Sequence, residues 1–357
     1  MRLPTLGGEL ARIDEAAATR LLHDAMDAGV NYVDTAWSYH EGQSEPFVGR
    51  ALRGGRRDRV RLATKLPVWL VESERDWERL LDAQLERLAT DRIDFYLLHG
   101  VARNRWGFVR QLGGLSALER ARADGRVRHV GFSFQHGSLE EFKEIVDGYD
   151  WDLCQVPLNF VDGEHQVGVE GLRHASARGV GVVVVEPMRG GALANPPPVV
   201  QEVWAGSDRN WSPAGWALRW AWANTGVVSV LSGMRSDAHL RENVRAAAAA
   251  GPLDARDLER IEEVRRTYRC RRRVPCTSCG GCQVCSRQIP VPDLLSLYND
   301  AMFDSKAAAA AEYRDAFLGS ARGADECVAC KVCEPMCPRG IPIPDTLREA
   351  HAYLTSS

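Results

Sequence analysis

Two runs of cysteine carry the plainest chemistry in this chain. Cys276, Cys279, Cys282 and Cys285 stand in CTSCGGCQVC, and Cys327, Cys330, Cys333 and Cys337 in CVACKVCEPMC. Three thiolates separated by two residues each can wrap one face of a [4Fe–4S] cube, with the fourth ligand beyond them. The competing use is tetrahedral zinc between paired CxxC arms. Four cysteines in each run, and Pro338 directly after the second, favour clusters. The tails repeat as well. Ile289, Pro290, Pro292 and Asp293 return 52 residues later as Ile341, Pro342, Pro344 and Asp345, and the first three cysteines return after 51. This is an internal duplication with one extra residue in its second copy, and two [4Fe–4S] clusters are the expectation. Cys154 and Cys270 lie outside the repeat, the first expected as a small buried side chain and the second as a bystander.

The rest of the chain must position a different chemistry. Strand patterns fall at residues 30–33, 60–64, 93–98, 127–132, 152–156, 180–185 and 227–231, alternating with helical patterns such as 14–29 and 254–268. Repeated strand–helix units make a parallel sheet. Seven such strands in about 250 residues, with no GxGxxG turn, suit a (β/α)8 TIM barrel better than a doubly wound sheet. The eighth strand is not visible, because residues 1–13 hold no strand pattern.

Active residues of such barrels lie at the carboxyl ends of strands. Here the strands end at Asp34, Lys65, His99, Ser133, Gln155, Glu186 and Ser232. Any one of these has an ordinary structural use, but together they ring one mouth with polar groups. Lysine is also scarce: only Lys65, Lys143, Lys306 and Lys331 among 45 cationic side chains, so position 65 asks for something arginine does not give.

Tyr39 lies five residues after Asp34, in DTAWSYHEGQSE. With that spacing, the chain resembles the aldo-keto reductase family: an aspartate, a tyrosine five later, a lysine after the next strand and a histidine after the following one. Asp34, Tyr39, Lys65 and His99 match in order, and the resemblance runs from about residue 1 to 268. It implies carbonyl reduction, or alcohol oxidation, of a small-molecule substrate. Tyr39 would be the proton donor, Lys65 would lower the pKa of that phenol, Asp34 would hold Lys65, and His99 would orient the carbonyl oxygen.

The resemblance also implies a nicotinamide nucleotide site. Ser133 and Gln155 would clamp the nicotinamide amide. Glu186, Pro187, Met188, Arg189, Gly190 and Gly191 would run along the pyrophosphate. Ser232, Gly233, Met234, Arg235, His239, Glu242 and Asn243 would form the adenosine end, with Arg235 and His239 near a 2′-phosphate, so that NADP(H) is expected ahead of NAD(H). The chain departs from the family pattern at Phe134 and Val185. Family members begin with a hairpin and a first barrel strand; either the barrel lacks that strand or, the expectation favoured, the start lies upstream of Met1.

The cysteine region resembles bacterial dicluster ferredoxins, and barrel plus two-cluster tail resembles a bacterial subgroup of the reductase family. The resemblance implies crossed ligation: Cys276, Cys279, Cys282 and Cys337 on one cluster, and Cys327, Cys330, Cys333 and Cys285 on the other. The expected domains are a barrel over 1–268 and a small helical, ferredoxin-like domain over 269–357. The basic stretch 265–273, with six arginines in nine residues, reads as a solvated hinge or as a docking site for an acidic redox partner protein. Net charge is −3 and apolar content 45%, so nothing points to nucleic acid, membrane insertion or export, and a cytoplasmic location is expected. A second reading makes the barrel a nucleotide-sensing or electron-relay subunit with little or no turnover. Residues 101–110 offer Trp106 and Phe108 as walls of a substrate pocket, although aromatic residues in loops usually just pack.

Overall fold

The computed structural model describes residues 2–101, 103–135, 137–163, 167–270, 273–276, 280–301, 306–320 and 322–356. Seven parallel strands form one curled sheet in chain order: β1 (Tyr32–Asp34), β2 (Arg61–Leu66), β3 (Ile93–Leu98), β4 (Val127–Ser133), β5 (Leu153–Pro157), β6 (Gly181–Val185) and β7 (Val227–Val230). Each lies within about two residues of its sequence expectation. β1 and β7 are the edges, and Val228 on β7 is exposed. Residues 2–14 contribute only an isolated antiparallel bridge between Thr5 and Ile13.

The strand register decides which side chains face the barrel interior. Asp34 is level with Ala63, Lys65 with Leu97, Leu97 with Gly131, and Ser133 with Gln155. Side chains along a strand alternate between faces. Asp34, Ala63, Lys65, Leu97, Ser133 and Gln155 therefore share one face. That face packs its own small core of Ala63, Leu97, Leu153 and Val183, with Tyr32, Phe95 and Leu231 against it. The opposite face meets the helices in the main core, where Leu62, Tyr96, Val130, Cys154 and Val182 are buried. A strand buried on both faces needs near-continuous apolar sequence, as in the GVVVV of β6.

The loop carrying Tyr39 is pinned from outside the barrel. Glu45 is fully buried and accepts from Thr64 Oγ1 at 2.6 Å, Gln84 Nε2 at 2.5 Å and Arg87 Nε at 2.7 Å. Arg87 also donates to the carbonyl of Gly42 at 2.5 Å and lies over the Trp37 ring at 4.3 Å. This requires the helices Ser44–Ala51 and Arg75–Leu88 to touch. A Cβ on Gly49 would stand 2.6 Å from the Leu88 carbonyl carbon, so only glycine permits the approach.

A second apolar core begins at Val274 and holds Leu294, Leu295, Tyr298, Tyr313, Ile343, Leu347 and Leu354. Its helices are Val291–Asp300, Lys306–Ala316 and Ile343–Thr355. The duplication is present in the backbone. The first and last of these helices start 343 − 291 = 52 residues apart, each after a proline cap with φ near −75° (−78° and −73°). Gln288 and Gly340 are both left-handed, at φ 56° and 60°, and Gly280 and Lys331 likewise, at 78° and 61°. The offset changes from 51 to 52 between these pairs, where the extra residue sits. Among the described residues, no helix is long and apolar enough to cross a membrane.

Candidate active site

Lys65 is 1% exposed at the end of β2. Its Nζ donates to Asp34 Oδ1 at 2.7 Å and to the Thr35 carbonyl at 2.9 Å, and lies 4.8 Å from the centre of the Tyr39 ring. Burial alone would strip the proton from this amine; the Asp34 charge and the Tyr39 oxygen outweigh burial, and its pKa is raised. The other Asp34 oxygen accepts from Gln155 Nε2 at 2.6 Å. Asp34 is thus held by donors from β2 and β5.

The Tyr39 and His99 rings meet edge to face, with centroids 6.0 Å apart. His99 has its pKa lowered to about 3, by burial first and then by the Lys65 charge. Its Nδ1 is buried with no hydrogen-bond partner among the described residues. A histidine held neutral in this way can donate a hydrogen bond but has no proton to give near neutral pH. The second phenol near Asp34, Tyr32, points into the barrel; burial and the Asp34 charge push its pKa up. Of the two phenols, only Tyr39 has the ammonium over its ring.

The expected amide clamp lies directly beside this group. Ser133 and Gln155 are register partners, and Ser133 Oγ accepts from the Gly100 amide at 2.8 Å. Phe134, in contrast, is fully buried and packs edge to face on Phe142 at 5.4 Å, so it belongs to the outer core. The loop after β6 has Glu186, Arg189, Gly190 and Gly191 at positive φ, and its Pro187 is buried. At the loop after β7, Asn243 Nδ2 donates to Ser232 Oγ at 2.7 Å, and His239 Nδ1 accepts from the Arg235 amide at 3.4 Å. Met234 packs against Leu240 and Leu21, and Glu242 is half-buried. Arg2 joins the two loops: Nη1 donates to the Gly190 carbonyl at 3.1 Å, and its stem lies against Gly233.

One expected wall is not a loop. Residues 103–111 form the helix Arg103–Gln111, and Trp106 is buried against Trp151 with centroids 6.0 Å apart. Phe108 packs on the same core. The aromatic ring that does face the site is Trp69, 5.1 Å from the His99 ring and 41% exposed. Its signal was its place four residues beyond Lys65, just after Pro67.

In the C-terminal segment, Cys276, Cys282 and Cys337 line one cavity with Gly280, Pro292, Leu295, Pro338, Arg339, Ile341 and Ile343. Cys333 is buried, and burial raises its thiol pKa; the neighbouring thiols of Cys327, Cys285 and Cys330 add to the rise. Cys285 of the first run is therefore beside the second. Cys279 lies outside the described residues. Among those described, no three His, Cys, Asp or Glu side chains converge on a point that could hold one metal ion. Cys154 is buried in β5 and Cys270 is exposed. Of the basic stretch, Arg265 donates to the Phe160 carbonyl at 2.5 Å, and Arg273 lies over Tyr353 at 3.9 Å. Both are used within the molecule; Arg271 and Arg272 lie outside the described residues.

Lys65, Asp34 and Tyr39 thus meet at one end of the seven-stranded parallel sheet. Residues 3–266 match the model of the aldo/keto reductase family, and the chain belongs to that family. It is 27% identical over 274 residues to methylglyoxal reductase YeaE of Escherichia coli (strain K12), covering 73% of this chain and 90% of that one. It is 26% identical over 282 residues to L-galactose dehydrogenase of Arabidopsis thaliana, covering 72% and 86%. Among solved structures it is similar to aldo-keto reductase AKR11C1 from Bacillus halodurans in its holo form, with TM-score 0.60, 26% identity and coverage of 73% and 91%. An aldo-keto reductase from Klebsiella pneumoniae in complex with NADPH shares the fold, with TM-score 0.60, 23% identity and coverage of 74% and 89%. The family match ends at residue 266, before the duplicated cysteine runs.

Proposed function

We propose that the chain is an NADP(H)-dependent reductase of small carbonyl compounds, working reversibly as an alcohol dehydrogenase, with two [4Fe–4S] clusters in a C-terminal domain over 269–357 and the barrel over 1–268. The observation that carries the reading is Lys65 Nζ held 2.7 Å from Asp34 Oδ1 and over the Tyr39 ring at 4.8 Å.

Tyr39 gives its proton to the carbonyl oxygen and is left as a phenolate. Lys65, kept charged by Asp34, stabilises that phenolate and so makes a weak acid strong enough near neutral pH. Asp34 has both oxygens engaged by Lys65 and Gln155 and acts by holding the amine. His99, neutral, donates a hydrogen bond to the same carbonyl oxygen and sets its direction. Trp69, beside His99, lines the substrate side and excludes water. NADPH, when bound, supplies the hydride to the carbonyl carbon. Ser133 and Gln155 hold its amide end, loop 186–191 its pyrophosphate, and Ser232, Gly233, Met234, Arg235, His239, Glu242 and Asn243 its adenosine end. NADPH is supported as cofactor by the fold shared with the Klebsiella pneumoniae protein, whose complex contains it.

The crossed ligand sets are supported by two observations. Cys337 shares a cavity with Cys276 and Cys282, and Cys285 acts on Cys333 together with Cys327 and Cys330. Cys279 completes the first set by the spacing. Bound clusters supply one-electron transfer or hold the tail folded. Exposed Val328, Val332 and Met336 rim the second run and offer a redox protein partner an apolar contact. A cytoplasmic location accords with the cluster ligands and their need for a reducing compartment.

The test is anaerobic purification followed by NADPH oxidation with aldehydes, ketones and quinones in turn. Turnover with one of these classes supports the reading. Tight NADPH binding with no turnover on any class replaces it with the sensor or relay reading.

A further inference from the structure

We propose that Asp300, on the C-terminal helical segment, is a positioning residue for loop 186–191 of the barrel, acting through Arg189, so that docking of the cysteine segment sets nucleotide affinity. This rests on the reading of loop 186–191 as the pyrophosphate loop.

Arg189 forms ion pairs in two directions. Its Nη2 pairs with Asp300 Oδ1, and its Nε with Asp162 Oδ2 at 3.1 Å, on the loop after β5. The Arg189 side chain is 19% exposed, enclosed between barrel and segment. Arg189 itself sits at φ 48°, and its neighbours Glu186, Gly190 and Gly191 at 54°, 71° and 114°. A side chain disfavours that left-handed backbone, so arginine stays there only where surrounding contacts hold it. The two carboxylates are among those contacts. An arginine suits the task because its planar fork can meet two acids at once.

Asp300 is itself firmly placed. The residue before it, Asn299, exchanges two hydrogen bonds with the Val274 backbone, at 3.0 and 2.9 Å. Asp300 ends the helix Val291–Asp300, and Pro292 and Leu295 of that helix line the cavity shared by Cys276, Cys282 and Cys337. One rigid helix therefore runs from the first cysteine cavity to the nucleotide loop. Because linkage is reciprocal, a loop that grips the nucleotide better when Arg189 is paired also holds the segment better when nucleotide is bound.

The experiment measures NADPH dissociation by fluorescence on the full-length protein, purified anaerobically. Asp300→Asn keeps the shape and removes the charge. It is expected to weaken NADPH binding about five- to tenfold, leaving the kcat at saturating NADPH unchanged. Asp162→Asn is expected to act in the same direction from the barrel side, and Asp300→Glu to recover most of the loss. Wild-type affinity in Asp300→Asn overturns the proposal, as does an Asp300→Glu variant as weak as Asp300→Asn. Wild-type protein that binds no NADPH at all sinks the pyrophosphate reading itself, a result distinct from binding that ignores Asp300.

Discussion

Gln155 Nε2 donates to Asp34 Oδ2 at 2.6 Å, across the barrel mouth from the Lys65 amine that takes Oδ1 at 2.7 Å. The carboxylate is bound at both oxygens, 121 residues apart in sequence on one side and 31 on the other. Its chemistry is therefore to fix a charge in place. Asp34→Asn removes the anion that keeps Lys65 protonated in a buried site. The expected outcome is a fall in kcat of about a hundredfold, with NADPH affinity within about twofold. Steady-state kinetics alongside a binding titration separate the two; a variant with wild-type kcat contradicts this role.

His99 is expected to remain neutral through the working range. Its folded pKa, about 3, lies below the ordinary value near ~6.5. Between those values the unfolded chain takes up a proton that the folded chain refuses. Stability from this group is therefore complete above ~6.5 and is lost as pH falls towards 3. Imidazole NMR should show no titration of His99 between about pH 5 and 8, and a resonance moving with a midpoint near ~6.5 would contradict the burial argument.

The buried pair of Glu45 and Arg87 carries the Tyr39 loop. Glu45 is fully buried and Arg87 one-quarter exposed, at 25%, so Glu45→Gln leaves a cation with no counter-charge at the pair. A loss of about 3 kcal/mol is expected, read as a lower midpoint in urea or thermal unfolding. Activity should fall with it, because Gly42 and Trp37 are tied to the same arginine. An unchanged midpoint would mean that the Tyr39 loop is held by other means.

The crossed cysteine sets lead to an unequal outcome for one substitution. Anaerobic wild-type protein should contain about eight iron and eight sulfide per chain. Cys285→Ser should cost the cluster of the second run, leaving about four iron, although Cys285 lies in the first. Loss of iron from Cys276, Cys279 and Cys282 instead, followed by cysteine-specific EPR or vibrational assignment, would contradict the crossing. Zinc in place of iron and sulfide would remove the clusters altogether.

Much of the barrel was legible because strand alternation and polar strand ends coincide. The alternation that puts Asp34, Lys65, Ser133 and Gln155 on one face is a two-residue rule, and strand ends were marked by polar residues after apolar runs. The duplicated cysteine runs were legible for the same reason: the offset is visible in letters before it is visible in φ angles. Contacts between remote segments were not. Nothing near Arg189 announces Asp300, 111 residues away, or places Arg2 between Gly190 and Gly233. Trp106 takes the packing role that aromatic residues in loops ordinarily have: the helix Arg103–Gln111 turns it into the core against Trp151. Trp69 was missed because a single tryptophan after a proline has no periodicity to distinguish it.

The most direct test of the central claim is the single-turnover rate of carbonyl reduction by NADPH in Tyr39→Phe protein beside wild type. Removal of the hydroxyl takes away the proton donor and leaves the ring, Lys65 and the nucleotide loops in place. A fall of about 10²- to 10⁴-fold in that rate is expected, with the NADPH dissociation constant unchanged. A Tyr39→Phe rate equal to wild type would show that the proton comes from elsewhere, and that Lys65 beside Asp34 serves only the fold.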